Sequence, residues 1–286
     1  MRLDIIKSSP FLNILLFVAT AFTTTLAGAF YADKPSEGYI SFFLQGWVFS
    51  VPLMAILLVH EMGHYLSGRR HHLDVSLPYF IPAPVIFPLG TFGALIKIRS
   101  LIPNRRVLVQ IGAAGPVSGG IVAIPLLAIG LALSEIRPLS ENPGLLSLGS
   151  SLIFELGCLL RFGQFSFDIN VVLHPTAVAA WAGLFVTALN MLPIGQLDGG
   201  HVIYGLFGHT ASRVVSIVVL VCLIPVGVFL WVGWLVFGAI ILVLGPRHPP
   251  PLDPYTSLDW KSRFLGWTAI VLFVLTFMPI PVSFVE

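Results

Sequence analysis

Long apolar runs near residues 11–31, 43–66, 107–133, 176–196, 202–245 and 265–284 decide what this chain can become. A helix crosses a bilayer core with roughly 17–25 apolar residues. Lipid offers no partner to a bare N–H or C=O, so a spanning segment must satisfy its own backbone, and runs of this length do so as helices. The stretch 202–245 is too long for one comfortable span, and Pro225 with Gly227 offers a turn near its middle, so we read it as two helices. The expected fold is an all-α polytopic membrane protein of about seven transmembrane helices, or six if 202–245 forms one kinked helix. Composition agrees, at 56% hydrophobic and 10% charged, where a soluble domain has about 25% charged residues.

A net charge of +2 is too small to argue for a nucleic-acid partner. Cys158 and Cys222 are the two cysteines, one in a polar-flanked segment and one inside an apolar run, which leaves no disulfide framework and no thiolate metal site. A metal in this chain must therefore use nitrogen and oxygen ligands.

Basic residues set the topology. With seven spans and the N-terminus inside, twelve of the fifteen Lys and Arg residues fall in the cytoplasm, against Lys34, Arg137 and Arg161 outside. Arg2 and Lys7 precede the first run, and Ala27-Gly28-Ala29 resembles a signal-peptide cleavage site. The apolar core of that run is longer than the roughly 7–15 residues of a signal peptide, so it is read as a retained helix.

Between the second and third runs, the segment 69–106 is too apolar for an ordinary loop, and Pro78, Pro82, Pro84 and Pro88 forbid a regular helix there. It is expected to dip into the membrane as a β-hairpin or loop packed against protein. Within it "ALIKIRS" alternates, with Leu95, Lys97 and Arg99 on one face and Ile96 and Ile98 on the other. Such a strand could accept an extended peptide at its edge; the other reading is a hairpin that only plugs the fold.

The chemistry begins at "VHEMGHYLSG", residues 59–68, near the end of the second run. His60 and His64 lie four residues apart and share one helical face, so both can ligate one metal with Glu61 close by. Imidazole ligands suit zinc, and Glu61 is then placed to take the proton of an attacking water. By residue frequency such a motif arises by chance in on the order of one in a hundred chains of this length. Inside a membrane span, however, an idle His-Glu-His cluster carries an uncompensated desolvation cost. A third ligand is offered by Asp198 in "ALNMLPIGQLDGGH", residues 188–201, after a run broken by Pro193 and Gly195. The second and fourth runs cross in the same direction, so Asp198 reaches the depth of the two histidines. Asn190 could donate a hydrogen bond to a substrate carbonyl or oxyanion, or simply bond between helices. His201 either supports the site from behind or caps the next helix, and His71 and His72 are read as solvated.

"HEMGH" at the end of a membrane helix, followed far downstream by "NMLPIGQLDGG", resembles the site-2 protease family of intramembrane zinc metalloproteases. The match holds at Asn190, Pro193, Asp198 and Gly199 and covers roughly residues 43–205. "GQLDGGH" and "RHPPPLDP" are similar to the branch of bacterial relatives of plant chloroplast enzymes. The resemblance implies one zinc per chain held by His60, His64 and Asp198, Glu61 as catalytic base, and a membrane-embedded β-loop that helps receive substrate. It also implies a glycine-rich third core helix around Gly112, Gly115 and Pro116. Unlike better-studied members, the chain shows no insert large enough for a PDZ domain and no nucleotide-binding domain, so residues 1–286 are read as a single membrane-embedded domain.

The expected activity is zinc-dependent cleavage of transmembrane segments of other membrane proteins near the cytoplasmic side. The expected partners are that substrate and the bilayer, with homo-oligomerisation left open. The expected compartment is a prokaryotic inner membrane. A transport or metal-handling protein using the same His/Asp cluster is the competing class, but no inverted repeat is evident.

Overall fold

In the computed structural model, described for residues 10–32, 38–84, 86–136, 146–166, 170–245 and 247–284, apolar helices dominate. The chain runs α1 (Pro10–Ala29), α2 (Tyr39–Gln45), α3 (Trp47–Arg70), β1 (Tyr79–Pro82), β2 (Thr91–Leu95), α4 (Arg105–Ala132) and β3 (Glu135–Ile136). It continues through β4 (Leu146–Leu148), α5 (Leu152–Phe162), β5 (Val171–Val172), α6 (Pro175–Asn190) and α7 (Asp198–Phe207). The remaining elements are α8 (His209–Phe229), α9 (Gly233–Leu244), α10 (Trp260–Thr276) and β6 (Val282–Phe284). Of the charges used to argue topology, Arg2, Lys7, Lys34 and Arg137 lie outside the described residues.

Among the described residues, four helical segments are long and apolar enough to cross a membrane: α1, α2 with α3, α4, and α8. α6 and α9 are apolar but shorter, with 16 and 12 residues, and α10 has 17. The protein is therefore an integral membrane protein of mostly helical architecture. The run 202–245 does not break at Pro225. Pro225 lies inside α8, and the chain turns at Leu230–Val232 instead. Pro225 costs α8 one ladder bond, to Val221 O, without ending it; the Leu230 and Trp231 N–H groups both fold back on Val226 O and close the helix there. Gly208, at φ 86°, makes the other break in this stretch, between α7 and α8.

α3, α4 and α6 form the centre. Phe49, Leu53, Ile56 and Leu57 of α3 meet Ala123, Leu127 and Leu131 of α4 and the alanine-rich face of α6, all buried. α1 leans on this core. Asn13 Nδ2 donates to Leu77 O and Pro78 O ahead of β1, and the Thr24 and Ser50 hydroxyls share a hydrogen bond of 2.6 Å. β1 and β2 pair antiparallel, with Phe80 opposite Ala94 and a register shift between Phe80 and Pro82. Beyond β2 the pairing continues against residues 74–76, through Ser76 N–H to Lys97 O and Arg99 N–H to Asp74 O. The regular strand thus begins three residues before "ALIKIRS" and ends at Leu95 within it, yet Leu95, Lys97 and Arg99 are exposed while Ile96 and Ile98 pack on Leu73, Val75, Val107 and Ile111.

The basic ends of several helices meet at one end of the molecule. His71, after α3, contacts Gln110 of α4, and Gln110 donates to Ser262 of α10. His71 is therefore paired rather than solvated. Arg105 Nε and Nη2 donate to Gly205 O and Leu206 O, capping the last turn of α7. At the opposite end, β3 pairs with β5 and β4 with β6. Replacing Arg105 by Gln leaves these α7 carbonyls uncapped. We expect a loss of about 1–2 kcal/mol, read as a lower midpoint for thermal unfolding in detergent.

Candidate metal centre

His60 and His64 sit on the inner face of α3, buried at 3% and 5% exposure, one helical turn apart. Asp198 is the first residue of α7 rather than the end of a long fourth helix: α6 stops at Asn190, and residues 191–197 turn the chain before α7 begins. At that position the carboxylate faces the positive end of the α7 dipole. Gly199 is required in this turn, because a Cβ there would lie 1.9 Å from Met191 O.

The three side chains converge on one point. His60 Nε2 is 3.2 Å from Asp198 Oδ2, His64 Nε2 is 3.1 Å from the same oxygen, and the two Nε2 atoms are 3.2 Å apart. Tetrahedral zinc with nitrogen and oxygen bonds of about 2.0–2.1 Å holds its ligand atoms about 3.3 Å from one another. The triangle has that size, and the donor set is one that zinc favours. His64 Nδ1–H donates to Ile111 O at 2.8 Å, which fixes the tautomer with Nε2 free to bind a metal.

α4 makes room for this cluster with glycine. A Cβ on Gly115 would lie 2.0 Å from His64 Nε2, and one on Gly119 would lie 3.1 Å from the His60 ring. Gly112, one turn earlier, lets the start of α7 approach, since its Cβ would meet His201 Cβ at 2.6 Å. The backbone of α4 is thus the floor of the site.

Glu61 is buried at 5% exposure beside the cluster, with its carboxyl turned toward the backbone N–H of Ile96. In an extended chain, alternate residues turn their backbone groups to opposite edges. Lys97 and Arg99 bond toward residues 74–76, so Ile96 and Ile98 present theirs to the Glu61 side. Asn190, the last residue of α6, is half-buried and makes no side-chain hydrogen bond to the cluster among the described residues. His201 does not cap α7; its Nδ1–H donates to His248 Nε2 at 2.5 Å, while His248 Nδ1–H donates to Pro249 O. Sequence reasoning gave His248 no role, and no local pattern could have joined it to a residue 47 positions earlier.

A buried two-histidine and one-aspartate cluster with a glutamate alongside defines a metallohydrolase type of site. The family description "Peptidase family M50" matches residues 48–234, and the chain belongs to that family. It is 36% identical over 240 residues to "Probable zinc metalloprotease EGY1, chloroplastic" of Arabidopsis thaliana, a match covering 80% of this chain and 42% of that one. It is 32% identical over 234 residues to the protein of the same name from Oryza sativa subsp. japonica, covering 80% and 40%. To "Probable zinc metalloprotease EGY2, chloroplastic" of Arabidopsis thaliana it is 30% identical over 240 residues, covering 80% and 41%. The chain therefore spans about two fifths of the length of the curated relatives it matches. No solved structure matches it significantly.

The geometry predicts about one zinc per chain in wild type, lost or sharply weakened in His64→Ala and Asp198→Asn by elemental analysis of detergent-purified protein. Gly115→Ala should lose the metal as well, because its methyl group would lie 2.0 Å from His64 Nε2 and force the ring out of place. Gly120→Ala, whose methyl group meets the movable Leu272 side chain, should keep it.

Proposed function

We propose that the protein is a zinc-dependent intramembrane endopeptidase that cleaves transmembrane segments of other membrane proteins near their cytoplasmic side. The observation that carries this reading is the buried Glu61 carboxyl set between the three-ligand cluster and the backbone edge at Ile96. His60, His64 and Asp198 are the proposed ligands. Zinc bound there would act as a Lewis acid toward a peptide carbonyl and bring the pKa of a coordinated water to about 7.

Glu61 is the proposed general base. It takes a proton from the attacking water and returns it to the departing amine nitrogen as the C–N bond breaks. A helical substrate hides its carbonyls in its own hydrogen bonds, so the cleaved segment must first be extended. The outward backbone groups of Ile96 and Ile98 supply an edge that can hold it so, within reach of Glu61. The Asn190 amide is the proposed donor to the carbonyl or its oxyanion. The pairing of residues 74–82 with 91–99 is proposed to lie within the membrane against α3 and α1, as its apolar side chains require.

The gathering of Arg69, Arg70, Arg105, Arg106 and Lys261 at one end supports an orientation with that end, and the N-terminus, in the cytoplasm. The proposed compartment is a prokaryotic inner membrane; the relatives are named as chloroplastic proteins.

Glu61→Gln should retain its zinc and lose cleavage by about 10²–10⁴-fold. The assay is co-reconstitution in liposomes with single-pass membrane proteins, with products sized by mass spectrometry. Full cleavage by that variant would refute the assignment, and metal flux into sealed liposomes without any cleavage would favour a carrier.

A further inference from the structure

A second site lies at the basic end of the molecule, apart from the ligand cluster. A cavity of about 440 Å³ opens between the first turns of α8, Tyr204 of α7 and the connection that follows α9. Its volume is in the range of small-ligand sites. Arg213 and Arg247 both line it, both are exposed, and neither meets a carboxylate among the described residues. Among the described residues, no acidic side chain lines the cavity.

Ser212 forms part of its wall. This residue is 3% exposed, and among the described residues its hydroxyl makes no hydrogen bond. The residue is buried but its oxygen is not one of the sealed, partnerless atoms of the structure, so the hydroxyl opens on the cavity and is free to bond a ligand there. The neighbouring Ser216 hydroxyl donates to Pro193 O and both ring nitrogens of His248 are already bonded, which leaves the Ser212 hydroxyl, with the Tyr204 hydroxyl and the His209 ring, as polar groups in the lining with no protein hydrogen bond among the described residues. The N-terminal turn of α8 adds the positive end of a 21-residue helix to the same place. Two guanidiniums, a free hydroxyl and a helix N-terminus without a countercharge call for a phosphate-type anion.

The flank of the cavity indicates its source. Val214, Ile217, Val218 and Val221 of α8 are all more than half exposed, and Ile217 also lines the cavity. This apolar stripe belongs to a helix long enough to cross a bilayer, and it leads away from the two arginines. A ligand with a phosphate head and acyl chains satisfies both parts at once.

We propose that this cavity binds the phosphate of an anionic phospholipid, held by Arg213 and Arg247 over the Ser212 hydroxyl. The wall it shares with His248 connects it to His201, one helical turn beyond Asp198. The lipid is thus bound next to the metal centre without entering it.

The test is a titration of the detergent-purified full chain with short-chain phosphatidylglycerol, short-chain phosphatidylcholine and inorganic phosphate, following the thermal unfolding midpoint. Phosphatidylglycerol should raise the midpoint saturably. The Arg213→Gln/Arg247→Gln protein should bind it about tenfold or more weakly. Arg69→Gln/Arg70→Gln removes the same charge at the same end outside the cavity and should leave binding unchanged. Saturation by inorganic phosphate but not by lipid, lost in the cavity variant, would keep the anion site and overturn its lipid source. Equal responses to phosphatidylcholine and phosphatidylglycerol, equal weakening in both double variants, or no response to either phosphate compound would overturn the proposal.

Discussion

His60, Glu61 and His64 are buried in the middle of an apolar helix bundle, and the arrangement of the other helices follows from having to accommodate them. Polar groups at such a depth need partners of their own. α4 supplies them by coming close. Its glycines remove the side chains that would stand between it and α3, and its Ile111 carbonyl accepts the hydrogen bond of His64 Nδ1–H. α6 must then end at Asn190, so that the turn at 191–197 can bring Asp198 across to the same point. The Arg105 cap holds α7 at its other end, fixing the helix whose first residue completes the cluster.

The connection between α9 and α10 belongs to the same arrangement. Leu252 and Asp253 donate their N–H groups to Ile102 O and Pro103 O, and the Arg106 guanidinium donates to Ser257 O. This segment crosses the mouth of α4 and contributes His248 to the back of α7. Residues far downstream of the family motifs thus buttress the site, although none of them carries its chemistry.

Much of this was legible in the sequence, because the relevant signals are periodic. Two histidines four apart on an apolar run already share a helix face, and alternation at 95–99 already separates two faces of an extended chain. The approach of Asp198 could be argued from span counting, since two runs crossing in one direction end at one depth. The sequence misled where tertiary contacts decide. Pro225 is a strong local stop signal, yet packing of Trp234 on Leu192 and Ile194, with its indole N–H on Pro279 O, sets the turn later. α5 and the short β3–β5 and β4–β6 pairs carry patterns too brief to read. The pairing of His201 with His248 and the Ile111 acceptor leave no trace in composition or spacing at all.

The cluster joins residues 60 and 64 to residue 198, and this spacing has a consequence for biosynthesis. Helices that enter a membrane in order of synthesis deliver α3 and α4 long before α7 exists. Until then two histidines and a glutamate stand in an apolar bundle without the carboxylate that faces them. A chain stopped short of Asp198 therefore keeps these polar groups unmatched, at a cost in lipid that the finished chain does not carry. Completion of the site and completion of the chain are thus energetically linked: the most polar helix is matched only once residue 198 has been made.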